Sequence, residues 1–189
     1  LSLFFEGWVT RLARDIVDED GNRLVYGVYS GGDDLFLIGP WDRMPDLAQA
    51  IAMDFATYSH GRAHLSAGLA LVEEKYPVYQ AAADAAAALD DAKDQTGKNS
   101  FSFLGRAYPW ASFAQIDAHR TNLAAIVGSD TGRRALLQTL RQLGLASAEA
   151  RRKDGKLVIG PWLWRGVYQL RRFAESDKAT AKRVEGVIV

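Results

Sequence analysis

Hydrophobic positions near the start of the chain change from a helical to an extended repeat. Apolar residues over 3–16 recur at helical spacing, which predicts a first helix with Ser2 as its N-cap. Residues 24–29 then favour extended backbone, and the wholly apolar run 35–38 predicts a strand buried on both faces. Turn-forming residues 30–34 lie between them, so the pattern predicts a β-hairpin.

The alternation of helices and strands continues to about residue 104. Asp42 is the predicted cap of a helix ending near residue 58, and a strand over 64–72 follows. A helix over 77–95 and a strand over 100–104 complete the series.

This order of elements predicts an α+β fold of the ferredoxin-like or polymerase-palm type, followed by an all-α helical domain. Such a palm sheet has its first strand before its first helix. A two-stranded ribbon is marginal in water on its own. We therefore expect the first strand to lie upstream of Leu1, and a chain that starts at Leu rather than Met is expected to be a fragment.

Beyond residue 110 the pattern becomes helical, with one weak strand. The chain is therefore predicted to contain a palm domain over 1–108, incomplete at its N-terminus, and a helical domain over 109–189. The elements predicted in the second domain are helices over 112–127, 130–143 and 161–173, a further helix from about Ala146, and a strand over 156–159.

Aromatic residues recur at helical spacing in the last predicted helix. This spacing indicates core or a partner interface rather than a base-stacking platform. The arginines among them suit RNA phosphate, an acidic neighbour or a solvated face equally well. The residues concerned are Trp162, Trp164, Tyr168 and Phe173, with Arg165, Arg171 and Arg172.

Composition changes this picture in two ways. With 189 residues, of which 48% are hydrophobic, the chain has the composition of a globular protein. The absence of cysteine excludes disulfides and a cysteine-ligated metal. No apolar run is long enough to span a membrane. The net charge of zero hides a division: residues 1–119 carry −8 and residues 120–189 carry +8. An acidic half suits divalent cations, a basic half suits nucleic acid or an acidic protein, and mutual attraction of the halves explains the division equally well.

The residues best suited to chemistry are Gly31-Gly32-Asp33-Asp34, here called the GGDD turn. Glycines tolerate positive φ and leave room for a ligand. Adjacent carboxylates are ligands for Mg²⁺, and two such ions can assist phosphoryl transfer. The simpler alternative is a turn that selects Gly and Asp for its geometry alone. A second candidate is the pair Lys93 and Lys98, which suits a triphosphate or, as the alternative, a solvated helix end.

The segment 28–36 around the GGDD turn resembles the palm of the large subunit of type III CRISPR effector complexes, most closely the III-A (Csm) branch. The similarity extends over most of residues 1–110. It includes the segments 1–5, 38–42, 65–70, 75–79, 92–93 and 97–99.

The resemblance implies a metal-dependent nucleotidyltransferase that joins ATP into cyclic oligoadenylate second messengers for antiviral defence when target RNA is bound. It implies that Asp33 and Asp34 are catalytic and bind Mg²⁺ or Mn²⁺. It relates the fold to the nucleotidyl-cyclase palms and implies six nucleotide-binding positions, at which the glycines let nucleotide approach and the lysines contact phosphate. These are Gly31, Gly32, Ser30, Ser66, Lys93 and Lys98.

The chain also departs from that family. The family's palm carries a metal-binding acidic residue on its first strand, and its nuclease domain and first palm have no counterpart in this sequence. We therefore expect the isolated chain to be inactive. Its expected partners are the N-terminal part of the large subunit, the other complex subunits, guide RNA and target RNA. The complex is expected to act in the cytoplasm, with no membrane as a partner. Two alternatives remain: a catalytically silent scaffold palm, and a diguanylate-cyclase-like enzyme that uses GTP.

Overall fold

The computed structural model describes residues 1–128, 134–150 and 160–176. The chain forms two compact units, Leu1–Phe113 and Ala114–Val189. The first unit contains helix α1, π-helical over Leu3–Val9 and α-helical over Thr10–Arg14, then β1 (Tyr26–Gly31), β2 (Asp34–Ile38), α2 (Met44–Tyr58), β3 (Ala67–Leu69), α3 (Val78–Lys93), β4 (Ser100–Phe103), β5 (Arg106–Pro109) and a 3-10 turn (Trp110–Ser112).

Helix α1 begins with the wider π-helical turn. The consecutive residues Phe4 and Phe5 are both buried, together with Val9, whereas Leu3 is 79% exposed. The i→i+5 turn of a π-helix changes which side chains share a face. The predicted helix is confirmed, but the predicted Ser2 cap is wrong, because Ser2 has helical dihedral angles and makes no capping hydrogen bond with its side chain.

Strands β1 and β2 form the predicted antiparallel hairpin, with a bulge between Gly27 and Tyr29. Leu35 and Leu37 of β2 pack on a core formed by α1 and α2. Ile38, on the opposite face of β2, is 38% exposed. The prediction that β2 is buried on both faces is therefore wrong, because the described residues cover only the helix side of this hairpin.

Helix α2 supplies the other wall of this core. Leu47, Ile51 and Phe55 are buried and face α1, where the rings of Phe4 and Phe55 lie 5.2 Å apart. The predicted Asp42 cap is wrong, since the helix begins at Met44 and no side chain caps it.

The second sheet has the order β3–β4–β5, with β3 parallel to β4 and β4 antiparallel to β5. The strand predicted over 64–72 is reduced to the three residues of β3. Strand β5 is not among the elements predicted from the sequence, whose last strand in the palm domain is 100–104. Leu104 and Gly105 both have positive φ, as a two-residue type I′ hairpin turn requires, and so connect β4 directly to β5.

Helix α3 connects β3 to β4 and packs directly on the second sheet. A Cβ atom at Gly68 would lie 2.2 Å from the Leu89 backbone nitrogen and 2.4 Å from the Ala85 carbonyl oxygen. The group that approaches Gly68 most closely is therefore the α3 backbone. On β4, Phe101 is 4% exposed, and its ring stacks on that of Trp110 with centroids 4.9 Å apart.

The two sheets remain separate among the described residues. In those residues no strand pairs with the second edge of β2 or with the free edge of β3. An unpaired edge presents backbone donors and acceptors without partners. The additional palm strand expected from the sequence stays a prediction.

The second unit continues α4 (Phe113–Val127) and contains α5 (Arg134–Glu149) and α6 (Pro161–Ser176). Its core joins Ile126, Leu136 and Leu170. The predicted helix start near Ala146 is wrong, because α5 runs uninterrupted to Glu149. The strand predicted over 156–159 lies outside the described residues. None of the helices in the described ranges is long and apolar enough to cross a membrane.

Candidate nucleotide site

The GGDD turn is the tip of the β1–β2 hairpin. Gly31 pairs with Asp34, so Gly32 and Asp33 are the two residues of the connection. Gly32 has φ +66°, and Asp33 is not among the residues with positive φ. A positive φ at the first connecting residue alone is typical of a type II′ turn, where glycine avoids the cost that a Cβ atom would bring.

This turn exposes both carboxylates to solvent. Asp33 lies in the connection, and Asp34 is the first residue of β2. Because side chains alternate along a strand, Asp34 lies on the face of Phe36 and Ile38, opposite to the core. The two carboxylates offer hard oxygen ligands of the kind that Mg²⁺ prefers.

Two acidic side chains, those of Asp33 and Asp34, lie at this tip. The described residues contain no group of three or more potential metal ligands. Magnesium characteristically binds through one or two protein carboxylates and completes its shell with water and substrate phosphates. The donor set of Asp33 and Asp34 therefore fits a metal that is bound together with a nucleotide.

The ring of Tyr29 is one reason why position 31 of the turn requires glycine. A Cβ atom at Gly31 would lie 2.9 Å from the Tyr29 hydroxyl oxygen, so the ring lies beside Gly31. The Tyr29 side chain is nevertheless 56% exposed. The absent side chain at Gly31 therefore leaves room for an aromatic ring next to the carboxylates.

Ser30 lies on the core side of the hairpin. It pairs with Leu35, whose side chain packs on the core, and directly paired residues share a face. The Ser30 hydroxyl oxygen is buried and has no hydrogen-bond partner among the described residues. This places its side chain on the face opposite to Asp34.

Ser66 and Lys98 are brought together at the second sheet. The Ser66 hydroxyl donates a hydrogen bond of 2.6 Å to the Lys98 carbonyl oxygen, and Lys98 has φ +48°. Lys93 lies in the last turn of α3. Both lysine side chains are exposed. Among the described residues, no hydrogen bond or ion pair joins either lysine to Asp33 or Asp34.

Tyr76, from the segment 75–79, has a structural contact instead. Its hydroxyl donates a 2.9 Å hydrogen bond to the Asp84 carboxylate in α3, and this bond raises the pKa of Tyr76 above its usual value. The bond ties the segment before α3 to the helix itself.

An apolar groove between α1 and α2 was not anticipated from the sequence. It has a volume of about 460 Å³ and contains the hydrogen bond of 2.6 Å that the Trp8 indole donates to the Asp54 carboxylate. None of the GGDD turn residues lines it. Its lining residues are Leu3, Phe4, Gly7, Trp8, Asp54, Thr57 and Tyr58.

Taken together, helices packed on one face of a hairpin with a Gly-Gly-Asp-Asp tip fit the class of palm domains predicted from the sequence. Residues 1–102, more than half of the chain, match the family described as Cas10/Cmr2, second palm domain. The chain belongs to this family.

The relatives are type III-A proteins. The chain is 40% identical over 82 residues to a CRISPR system single-strand-specific deoxyribonuclease Cas10/Csm1 (subtype III-A) from Thermococcus onnurineus, covering 43% of this chain and 10% of that protein. It is 36% identical over 117 residues to the protein of the same name from Enterococcus italicus, covering 61% of this chain and 14% of the relative. The chain therefore spans only a small part of these relatives.

Solved structures give the same assignment. A Csm1–Csm4 cassette in complex with cA3 matches this chain with a TM-score of 0.65 and 26% sequence identity. A Csm1–Csm4 cassette in complex with one ATP matches with a TM-score of 0.62 and 25% sequence identity. Each match covers 76% of this chain and 24% of the other chain. Csm1 of T. onnurineus shares the fold, with a TM-score of 0.74 and 24% identity, over 93% of this chain and 27% of that one.

Proposed function

We propose that this chain is part of a type III-A CRISPR large subunit and that its GGDD turn carries the synthesis of cyclic oligoadenylates from ATP. The observation that supports this most directly is the pair of exposed carboxylates at a glycine tip in a second-palm chain. The similarity to Csm1–Csm4 cassettes in complex with ATP and with cA3 supports adenine nucleotides as substrate and product.

In the proposed reaction, the 3′-oxygen of one ATP attacks the α-phosphorus of another. A new phosphodiester bond forms, the bond to pyrophosphate breaks, and the hydroxyl proton passes to solvent. Asp33 and Asp34 would hold Mg²⁺ or Mn²⁺, which polarises the phosphate and stabilises the attacking and leaving oxygens. The small tip at Gly31 and Gly32 leaves the carboxylates open to a triphosphate on the outer face of the hairpin.

The remaining predicted contacts belong to the same proposal. Lys93 and Lys98 would neutralise phosphate charge, with Ser66 fixing the backbone of Lys98 through its hydrogen bond. Ser30 would not contact the nucleotide directly, since its hydroxyl lies on the core side of the hairpin; it would help to hold the GGDD turn in place.

We also propose that turnover requires the complex. The chain spans 10–14% of the compared relatives' length and offers two metal-binding carboxylates in the described residues. The rest of the large subunit, the other Csm subunits, guide RNA and target RNA would complete the site in the cytoplasm.

The decisive experiment compares two pairs of adjacent aspartates in the assembled complex. Asp33→Ala/Asp34→Ala is expected to reduce oligoadenylate formation from ATP at least about 100-fold, because the phosphate would lose its metal ligands. The control, Asp90→Ala/Asp91→Ala, removes an adjacent pair from the exposed surface of α3. Products are measured by mass spectrometry with target RNA, Mg²⁺ and either ATP or GTP.

Each outcome has a distinct meaning. Unchanged synthesis in the Asp33/Asp34 variant would refute the site assignment. No product from ATP or GTP in the wild-type complex would favour the scaffold alternative, and turnover of GTP alone would favour the diguanylate-cyclase alternative. Robust synthesis by the isolated 189-residue chain would refute the requirement for the complex.

A further inference from the structure

Helix α6 in the second unit presents two opposite faces of different chemistry. Gly166 and Leu170 are buried, and a Cβ atom at Gly166 would lie 2.5 Å from a methyl carbon of Leu143 in α5. The face turned away from α5 carries Trp164 and Tyr168, which are 69% and 66% exposed. These two residues are four apart, so their side chains lie one above the other along the helix.

Three arginines flank this aromatic pair. Arg165, Arg171 and Arg172 are all exposed. At 3.6 residues per turn, they lie on the same half of α6 as the two rings. We call the five residues Trp164, Arg165, Tyr168, Arg171 and Arg172 the α6 stripe. Of the two predicted roles of these aromatic residues, core or a partner interface, core is wrong for Trp164 and Tyr168, because most of each ring is in contact with solvent.

We propose that the α6 stripe binds single-stranded nucleic acid, with bases on the two rings and phosphates on the arginines. Proteins that hold single strands combine basic groups along the backbone with exposed aromatic rings on which successive bases stack. The charge is complementary, since the stripe carries three positive charges and lies in the positively charged half of the chain.

A purely electrostatic partner fits the stripe less well. An acidic protein surface pairs with the arginines but gives no reason to hold Trp164 and Tyr168 in water on the same half of the helix. Nucleobases supply flat apolar faces for both rings and phosphates for the arginines, so one ligand satisfies all five side chains.

The test measures binding of a fluorescein-labelled 12-nucleotide oligouridine to the full 189-residue chain by fluorescence anisotropy. Trp164→Ala/Tyr168→Ala is expected to weaken binding about 10- to 100-fold, because two stacking platforms are lost. Trp164→Phe/Tyr168→Phe is expected to retain most of the affinity. The matched control is Tyr79→Ala, which removes a 73% exposed ring from the first unit.

The arginines are tested by salt dependence. Arg165→Gln/Arg171→Gln is expected to lower the slope of log affinity against log salt by about 1.4, since a single strand contributes about 0.7 per neutralised phosphate. Arg141→Gln, an exposed arginine on α5, is the control.

Several results would overturn the proposal. One is equal affinity of the Trp164→Ala/Tyr168→Ala variant and the Tyr79→Ala control. Another is displacement of the oligonucleotide by polyglutamate with no effect of the aromatic substitutions, which would assign the stripe to an acidic protein partner. A circular-dichroism spectrum unchanged from wild type verifies that each variant is folded.

Discussion

The two small sheets of the first unit differ in the elements and side chains that pack against them. The β1–β2 hairpin packs one face on α1 and α2 and leaves Tyr26 and Tyr29 mostly in solvent. The β3–β4–β5 sheet is covered by α3 and stabilised by stacked aromatic rings around Phe101, and Ser100 and Ser102 of β4 are almost completely buried. The acidic tip belongs to the hairpin, whereas the second sheet is the better packed of the two.

This difference separates two tasks. A site that takes up a large charged ligand needs an open face and carboxylates that remain hydrated until the ligand arrives. A framework needs close packing, in which each buried atom contributes to stability. The following substitutions test whether the two sheets divide these tasks.

The largest expected difference concerns one phenylalanine in each sheet. Phe101→Ala is expected to lower the free energy of unfolding by about 3–5 kcal/mol, because it empties a buried site beside Trp110. Phe36→Ala, in the half-buried outer face of β2, is expected to cost about 1 kcal/mol. Urea unfolding of both variants measures the difference, and equal losses would contradict the proposed division.

A smaller difference is expected for one glycine in each sheet. Gly68→Ala is expected to cost about 2–3 kcal/mol, because the new methyl group would meet the α3 backbone. Gly27→Ala is the matched control: its Cβ atom would make an ordinary 3.7 Å contact with Leu37, and the expected change is below about 1 kcal/mol. If Gly68→Ala were as stable as Gly27→Ala, the direct packing of α3 on β3 would be wrong.

The smallest expected effect is a pH dependence of stability, caused by Asp18 in the segment that precedes the hairpin. The Asn22 side-chain amide and then the Asn22 backbone N–H donate hydrogen bonds to Asp18, which lowers the pKa of Asp18 below its usual value. A lowered pKa in the folded state means that the stabilisation is present above about pH 4 and is lost as the pH falls through the folded-state pKa. The described second sheet has no such acidic contact within its strands.

An NMR titration of the Asp18 carboxyl measures this effect. Asn22→Ala is expected to raise the pKa of Asp18 toward its usual value, and Glu19→Ala, which leaves these hydrogen bonds in place, is expected to leave it unchanged. A pKa of Asp18 that does not rise in Asn22→Ala would exclude the side-chain hydrogen bond of Asn22 as its main cause, since the backbone N–H of residue 22 is kept in this variant.

The sequence predicted the hairpin well because its signals are local. Residues of β1 and β2 favour extended backbone, and Gly32 supplies the positive φ that the tip requires. Local sequence signals alone therefore predict the position of the GGDD turn. Its roles in binding metal and nucleotide stay predictions.

The second sheet was predicted less completely because its signals depend on distant contacts. Strand β5 has only four residues, and its turn uses Leu104, a residue that seldom takes positive φ. The sequence also left open whether Trp164 belongs to the core or to a partner interface, because helical spacing alone does not say which side of α6 meets α5.

The contact between α3 and β3 at Gly68 has a mechanical consequence. No side chain stands between the two backbones there, so no deformable layer absorbs a displacement. A displacement of α3 is therefore expected to be transmitted to β3 directly at Gly68, and Lys93 at the end of α3 would move with the helix.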